Sequence, residues 1–191
     1  MKLRHTFHAV ILVGLFASAA QAADNYKIDS EHATVIFKIE HYGIGNAYGR
    51  FNDPTGTVVL DKSDPSKSTF NVQIKTDNVD TDNEKRDAHL KSPDFFDAKQ
   101  FPLITFKSKS VKADGDKFMV TGDLTLHGVT KEIEVPITKT GEKDTGKAGY
   151  RTGWEANVSL KRSEFGMKYG LDQGAIGDEV ELTVSFEAVK S

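Results

Sequence analysis

TFNVQIKT, residues 69–76, sets Phe70, Val72 and Ile74 on one side of an extended chain and Asn71, Gln73 and Lys75 on the other. A period of two marks a strand with one face buried and the other in water. The pattern recurs in TVIFKIEH (34–41), where Val35, Phe37 and Ile39 share a face. It returns in LITFKSKSV (103–111), KFMVTGDLTLHG (117–128), KEIEVPITKT (131–140), GWEANVSLKR (153–162) and DEVELTVSFEAV (178–189). Between these segments lie DKSDPSK, ADGD, LHGVTK and GEKDTGKAG, each rich in the residues that form turns. Short strands joined by short turns pair with their neighbours antiparallel. The expected fold is therefore all-β, a single sandwich or barrel without an internal repeat or dividing linker.

The inward set is unusually aromatic, with Phe37, Phe70, Phe106, Phe118, Trp154 and Phe186. Such side chains either fill a core or line a cavity, and periodicity does not separate the two.

One stretch breaks the strand pattern. DTDNEKRDAHLKSPDFFDAKQFP, residues 80–102, is charged and has no β-branched residue after Thr81. Asp82 is a capping residue, Glu84 suits the first turn, and Ser92-Pro93 stops the run, which predicts a helical insert at 82–91. Phe95, Phe96 and Phe101 follow in a connection without periodicity, and the mouth of a barrel would bury them.

Residues 1–22 run from Lys2 and Arg4 through AVILVGLFASAA to Ala20-Gln21-Ala22. This is the pattern of a signal peptide cleaved near Ala22, which implies export to the periplasm and a mature domain at 23–191. Those residues carry two of the 25 basic groups and none of the 28 acidic ones, leaving a net charge of −5 with His neutral. Such a balance gives no electrostatic case for nucleic acid. No later run is long and apolar enough to insert permanently in a bilayer. There are no cysteines, so disulfides and Cys-ligated zinc are excluded.

The histidines beyond the leader, His32, His41, His89 and His127, have no spacing that sets two ligands on one face. DTDNEKRDAHLK places Lys85 and Lys91 where a calcium loop needs Gly and Glu. No metal or other cofactor is expected. A secreted hydrolase using Asp29 and His89 is a reading of another class, but no G-x-S-x-G elbow is present. A filled barrel that serves as a structural or partner-binding module is the third.

The chain resembles the YceI-like family of periplasmic, lipocalin-like, polyisoprenoid-binding proteins. The resemblance is carried, in order, by YKIDSEHATVIFKIEHYG (26–43), YGRFNDPTGTVVLD (48–61), NVDTDNEKRDAHLKSPDFFDAKQFPLITFKS (78–108), GDLTLHGVTKEIEV (122–135), RSEFGM (162–167) and GDEVELTV (177–184). It implies an antiparallel barrel of about eight strands with a helical insert and a long apolar cavity. It also implies a non-enzymatic carrier whose partner is a long-chain lipid such as a polyisoprenoid or isoprenoid quinone. Homodimers occur among members, although no stretch of this sequence reads as a dimer surface. Members often carry Ser in a His-x-Gly-x-Ser pattern where this chain has Gly45, so no nucleophile role carries over.

Alternation and resemblance together select Phe37, Ile39, Phe70, Val72, Phe106, Phe118, Val120, Leu124, Val135, Trp154 and Phe186 as cavity-lining candidates. A register error of one residue would turn any of these sets outward. Arg86, Asp87, His89, Leu90, Phe95 and Phe96 are the candidates for the mouth and a head group. Arg86, Asp87 and His89 would equally brace the helix, and the same choice applies to Arg162 and Ser163.

Overall fold

The structure is a computed structural model that describes residues 23–191. The predicted signal peptide lies outside the described residues. Ten strand segments are formed: β1 (Asp24–His41), β2 (Gly45–Phe51), β3 (Thr55–Leu60), β4 (Thr69–Lys75), β5 (Val79–Asp80), β6 (Leu103–Asp114), β7 (Lys117–Leu126), β8 (Val129–Asp144), β9 (Tyr150–Lys161) and β10 (Ile176–Lys190). Among the described residues one α-helix, α1 (Glu84–Leu90), joins them.

All the pairings are antiparallel, and they run around a ring β1-β3-β4-β6-β7-β8-β9-β10 that β10 closes on β1. This is the eight-stranded barrel expected. Closure leaves a free edge only on the short arm β2–β5, which branches from β1.

β1 spans the full height of the wall. Its first arm pairs with β3 through Asp24↔Leu60 and its second with β2 through Val35↔Phe51. Between the arms, the register against β10 jumps from Asp29↔Glu187 to Ala33↔Phe186. Residues 30–32 are thus extruded as a bulge, which bends the strand between its two partners.

The turns fall within the polar clusters, although residues 141–144 of GEKDTGKAG continue β8 and only its second half turns. β7 and β8 are joined by His127 and Gly128, with φ of 51° and 72°. Two central residues of positive φ make the tight hairpin turn whose twist matches that of its strands. Gly128 meets a second demand, because a Cβ there would stand 2.4 Å from the Phe101 ring.

The insert differs from its expected bounds. The helix is Glu84–Leu90, and its cap is Asn83, whose side chain accepts from the Arg86 N–H. Asp82, the expected cap, instead takes a φ of 57° and turns the chain out of β5.

Apolar side chains fill the interior unevenly. At the end where the chain enters β1 and leaves β10, Tyr26, Val58, Phe70, Val120, Trp154 and Ala188 are almost wholly buried and tightly packed. At the opposite end, bounded by α1, the β1–β2 turn and the connection from β9 to β10, packing is looser and many inward residues stay partly exposed. The two alternatives left open by periodicity thus hold at different depths. Half the barrel is filled and half encloses space.

Candidate functional site

That space is a cavity of about 930 Å³ opening between α1, the β1–β2 turn and the β9–β10 connection. Its volume is at the upper end of the range for small-molecule sites. The wall is built by the inward positions of the strands. β1 gives Phe37 and Ile39; β4 gives Phe70 and Val72; β6 and β7 give Phe106 and Leu124; β8 and β10 give Val135 and Phe186. These eight candidates line the cavity.

Phe118, Val120 and Trp154 do not, and their assignment as lining residues is corrected. They face inward as alternation predicts, but they sit deeper, in the packed end. Trp154 stacks edge-on against Phe70 and Phe118, with centroids 5.1 and 5.3 Å apart. Strand tilt and stagger set how deep an inward residue lies, and a period of two carries no such information.

Val35, Phe51, Ile74, Ile104, Leu182 and Val184 also line the cavity and were not among the candidates. They continue the same alternating faces, so extending each chosen set by one step would have found most of them. Arg162 and Met167, in the connection, had no periodic signal.

At the mouth, Arg86, His89, Leu90, Phe95 and Phe96 border the cavity. Phe96 packs edge-on against Phe51 at 5.3 Å, and Phe95 lies 5.2 Å from Tyr169. Phe101 turns away and packs on His127. Asp87 does not border the cavity, which corrects its assignment to the head-group set. Its Oδ1 accepts from the Thr81 N–H at 2.8 Å and from the Thr81 hydroxyl at 2.5 Å. It therefore braces the helix to the end of β5. Arg86 shares that role, donating to the Thr81 hydroxyl and carbonyl at 2.8 and 2.7 Å, while also reaching the cavity.

Arg162 is a second guanidinium at the mouth, 4% exposed. It donates to the carbonyls of Gly177, Met167 and Ile176 at 2.7–3.0 Å, fastening the connection to the start of β10. Burial lowers its pKa from the ordinary value, against the pull of the Asp178 carboxylate. Ser163 donates its N–H and hydroxyl to Asp178, so it belongs to this bracing rather than to the cavity wall. The rim also exposes Tyr42, Tyr48 and Tyr169, which border the cavity on their other side.

Asp29 and His89 are not brought together. Asp29 pairs with Glu187 at the packed end and binds Arg151 at 2.6 Å and His32 at 2.9 Å. His89 is at the mouth, 2.9 Å from Asp94. The hydrolase arrangement that needs these two groups in contact is therefore not formed. Asp29, His32 and Glu187 do converge closely enough to share an ion. However, the Arg151 guanidinium binds both carboxylates and supplies the positive charge they require.

Among the described residues, no helix is long and apolar enough to cross a membrane. The outer wall carries exposed ion pairs such as Lys38–Glu181 and Lys109–Glu132. Apolar inside and charged outside is the reverse of a lipid-embedded barrel.

Residues 26–188 match the YceI-like domain family. Protein YceI of Escherichia coli O157:H7 is 42% identical over 178 residues, covering 92% of this chain and 92% of its own. Among solved structures, Burkholderia cenocepacia BcnA superposes with a TM-score of 0.75 at 23% identity, over 84% of this chain and 98% of its own. A polyisoprenoid binding domain from Saccharophagus degradans, implicated in plant cell wall breakdown, does so with a TM-score of 0.67 at 14% identity, over 87% of this chain and 98% of its own. At such identities the two structures show a shared fold, while the family match and the Escherichia coli relative carry kinship. The chain belongs to the YceI-like family.

Proposed function

We propose that this protein is a periplasmic carrier that holds a long-chain lipophilic ligand, a polyisoprenoid or isoprenoid quinone, in the open half of its barrel. The observation that carries this reading is the deep cavity of about 930 Å³ with a predominantly apolar wall. Allowing each non-hydrogen atom the roughly 30 Å³ that a water molecule occupies, it holds about 30 such atoms, or about six isoprene units. Burying ten methylenes contributes about 8 kcal/mol before ordering costs, so affinity requires no catalytic or covalent group. The chain is similar in fold to a domain that binds polyisoprenoid, which agrees with the cavity chemistry. The export pattern of residues 1–22 supports the periplasmic assignment.

The ligand's polar end belongs at the mouth, the site of Arg86 and Arg162. A phosphate, quinone or amide head would accept hydrogen bonds from such donors.

Native mass spectrometry of the protein recovered from a bacterial periplasm, followed by organic extraction, tests the proposal. The expected result is an adduct whose extracted mass is that of a polyprenyl compound or quinone. A bare polypeptide that also fails to take up added polyprenyl lipid would overturn it.

A further inference from the structure

Opposite its mouth, the cavity ends on the packed half of the barrel. Phe70, Ile137, Ala156 and Phe186 form its deepest wall, and each also belongs to the packed cluster beneath. Directly behind stands Trp154, cross-strand neighbour of Phe186 and 1% exposed. Its ring is held edge-on by Phe70 at 5.1 Å and by Phe118 at 5.3 Å. Its Nε1 donates to the Thr152 hydroxyl at 2.9 Å, so the indole has no free donor to offer the lumen. Ala156, two residues on along β9, and Ala188, two residues beyond Phe186 on β10, are the small buried residues beside it, so the bulk at this level comes from the indole and the two phenyl rings that hold it.

We propose that Trp154 is the stop that sets the ligand's chain length, with Phe70 and Phe118 fixing its ring across the barrel. The inference rests on the lipid-binding reading and adds a specificity to it. A chain end that reaches the floor meets only carbon and gains nothing from a polar group. Each further methylene must then remain beyond the mouth, forgoing the roughly fourfold affinity that burying it would bring. Chains shorter than the cavity lose the same factor for each position left empty. Affinity therefore rises with length and breaks at the length that spans mouth to floor.

The test is displacement of a bound hydrophobic fluorophore by a graded series of prenyl alcohols, each one isoprene unit longer than the last. In the wild type, affinity is expected to climb and then stop climbing. Trp154→Leu opens space below the floor and moves the break to alcohols at least one unit longer. Ala156→Leu adds bulk within the lumen and moves it to shorter ones. Should Trp154→Leu fail to fold, Trp154→Phe, which keeps most of the bulk, still moves the break towards longer alcohols, and Ala156→Leu still moves it the other way. A break at the same length in the wild type and in the folded Trp154 variants overturns the inference, whatever Ala156→Leu does, while leaving the carrier reading intact. Absence of displacement by any alcohol in the wild type removes the carrier reading, and the inference with it.

Discussion

Phe106 and Lys107 are neighbours on β6 that stand on opposite sides of the barrel wall, one bordering the cavity and the other exposed. A carboxylate at the first position would have no partner in an apolar lumen, whereas one at the second would meet water. Phe106→Asp is expected to weaken ligand loading by at least about 2 kcal/mol, or roughly 30-fold, and Lys107→Asp to leave it unchanged. Equal losses in a loading assay would mean that the face assignment of β6 is wrong. A different chemistry governs Asp29. Hydrogen bonds from Arg151 and then His32 hold its carboxyl at about 2. An unfolded Asp titrates near 3.9, so this group contributes stability above that value and loses it as pH falls towards about 2. His32 is shifted upward by Asp29, so its contribution is present below about 6.5 and fades as pH rises through its folded value. Asp29→Asn should cost about 1 kcal/mol or less near neutral pH, as for a partly exposed ion pair. Thermal unfolding should show that difference vanishing below about pH 2, where both forms are neutral at this position. A difference that persists there would assign the effect to neutral hydrogen bonding instead.

The helical insert packs Leu90 on the core, and its side-chain hydrogen bonds to the barrel concentrate on Thr81. Its N–H and hydroxyl donate to Asp87, and its hydroxyl and carbonyl accept from Arg86. Asp87→Ala leaves the buried Thr81 groups without their acceptor and should destabilise the fold by about 1–3 kcal/mol. Thr81→Val removes the hydroxyl, so much of the effect of Asp87→Ala should already be present in it. The double variant should therefore fall short of the summed single effects by at least about 0.5 kcal/mol in denaturant unfolding. Full additivity would show that the two residues act separately. This element also marks the limit of sequence legibility. Charge pattern, capping residues and Ser92-Pro93 located a helix, yet both Asp82 and Asn83 are capping residues by chemistry. A left-handed turn at Asp82, imposed by the exit from β5, decided between them. The strands show the same division. Alternation placed all eleven lining candidates inward, because a face is a local property of the chain. Depth is set by the stagger of the closed barrel, which explains why Phe118, Val120 and Trp154 fell into the packed end.

Across the whole molecule, the consequence of a half-filled barrel is that the apolar interior is incomplete without its occupant. The packed end holds Trp154, Tyr26 and Phe70 in one buried cluster, while Phe37, Ile39, Val72 and Phe106 border about 930 Å³ of space. Side chains around a void lack contact partners on one side, so the open half contributes less cohesion than a filled core of equal area. A ligand that binds the folded barrel and has no affinity for the unfolded chain restores those contacts and shifts the folding equilibrium by mass action. At a free concentration of one hundred times Kd the gain is about 2.7 kcal/mol, which raises Tm by about 5–10 °C for a domain of this size. Protein stripped by organic extraction and refolded should therefore melt lower than protein as isolated, and adding polyprenyl lipid should recover the difference. The recovery should depend on concentration and be much smaller in Phe106→Asp, whose lumen is charged. An unchanged Tm in stripped and replenished wild type would mean that nothing occupies the cavity and that the barrel is stable half empty.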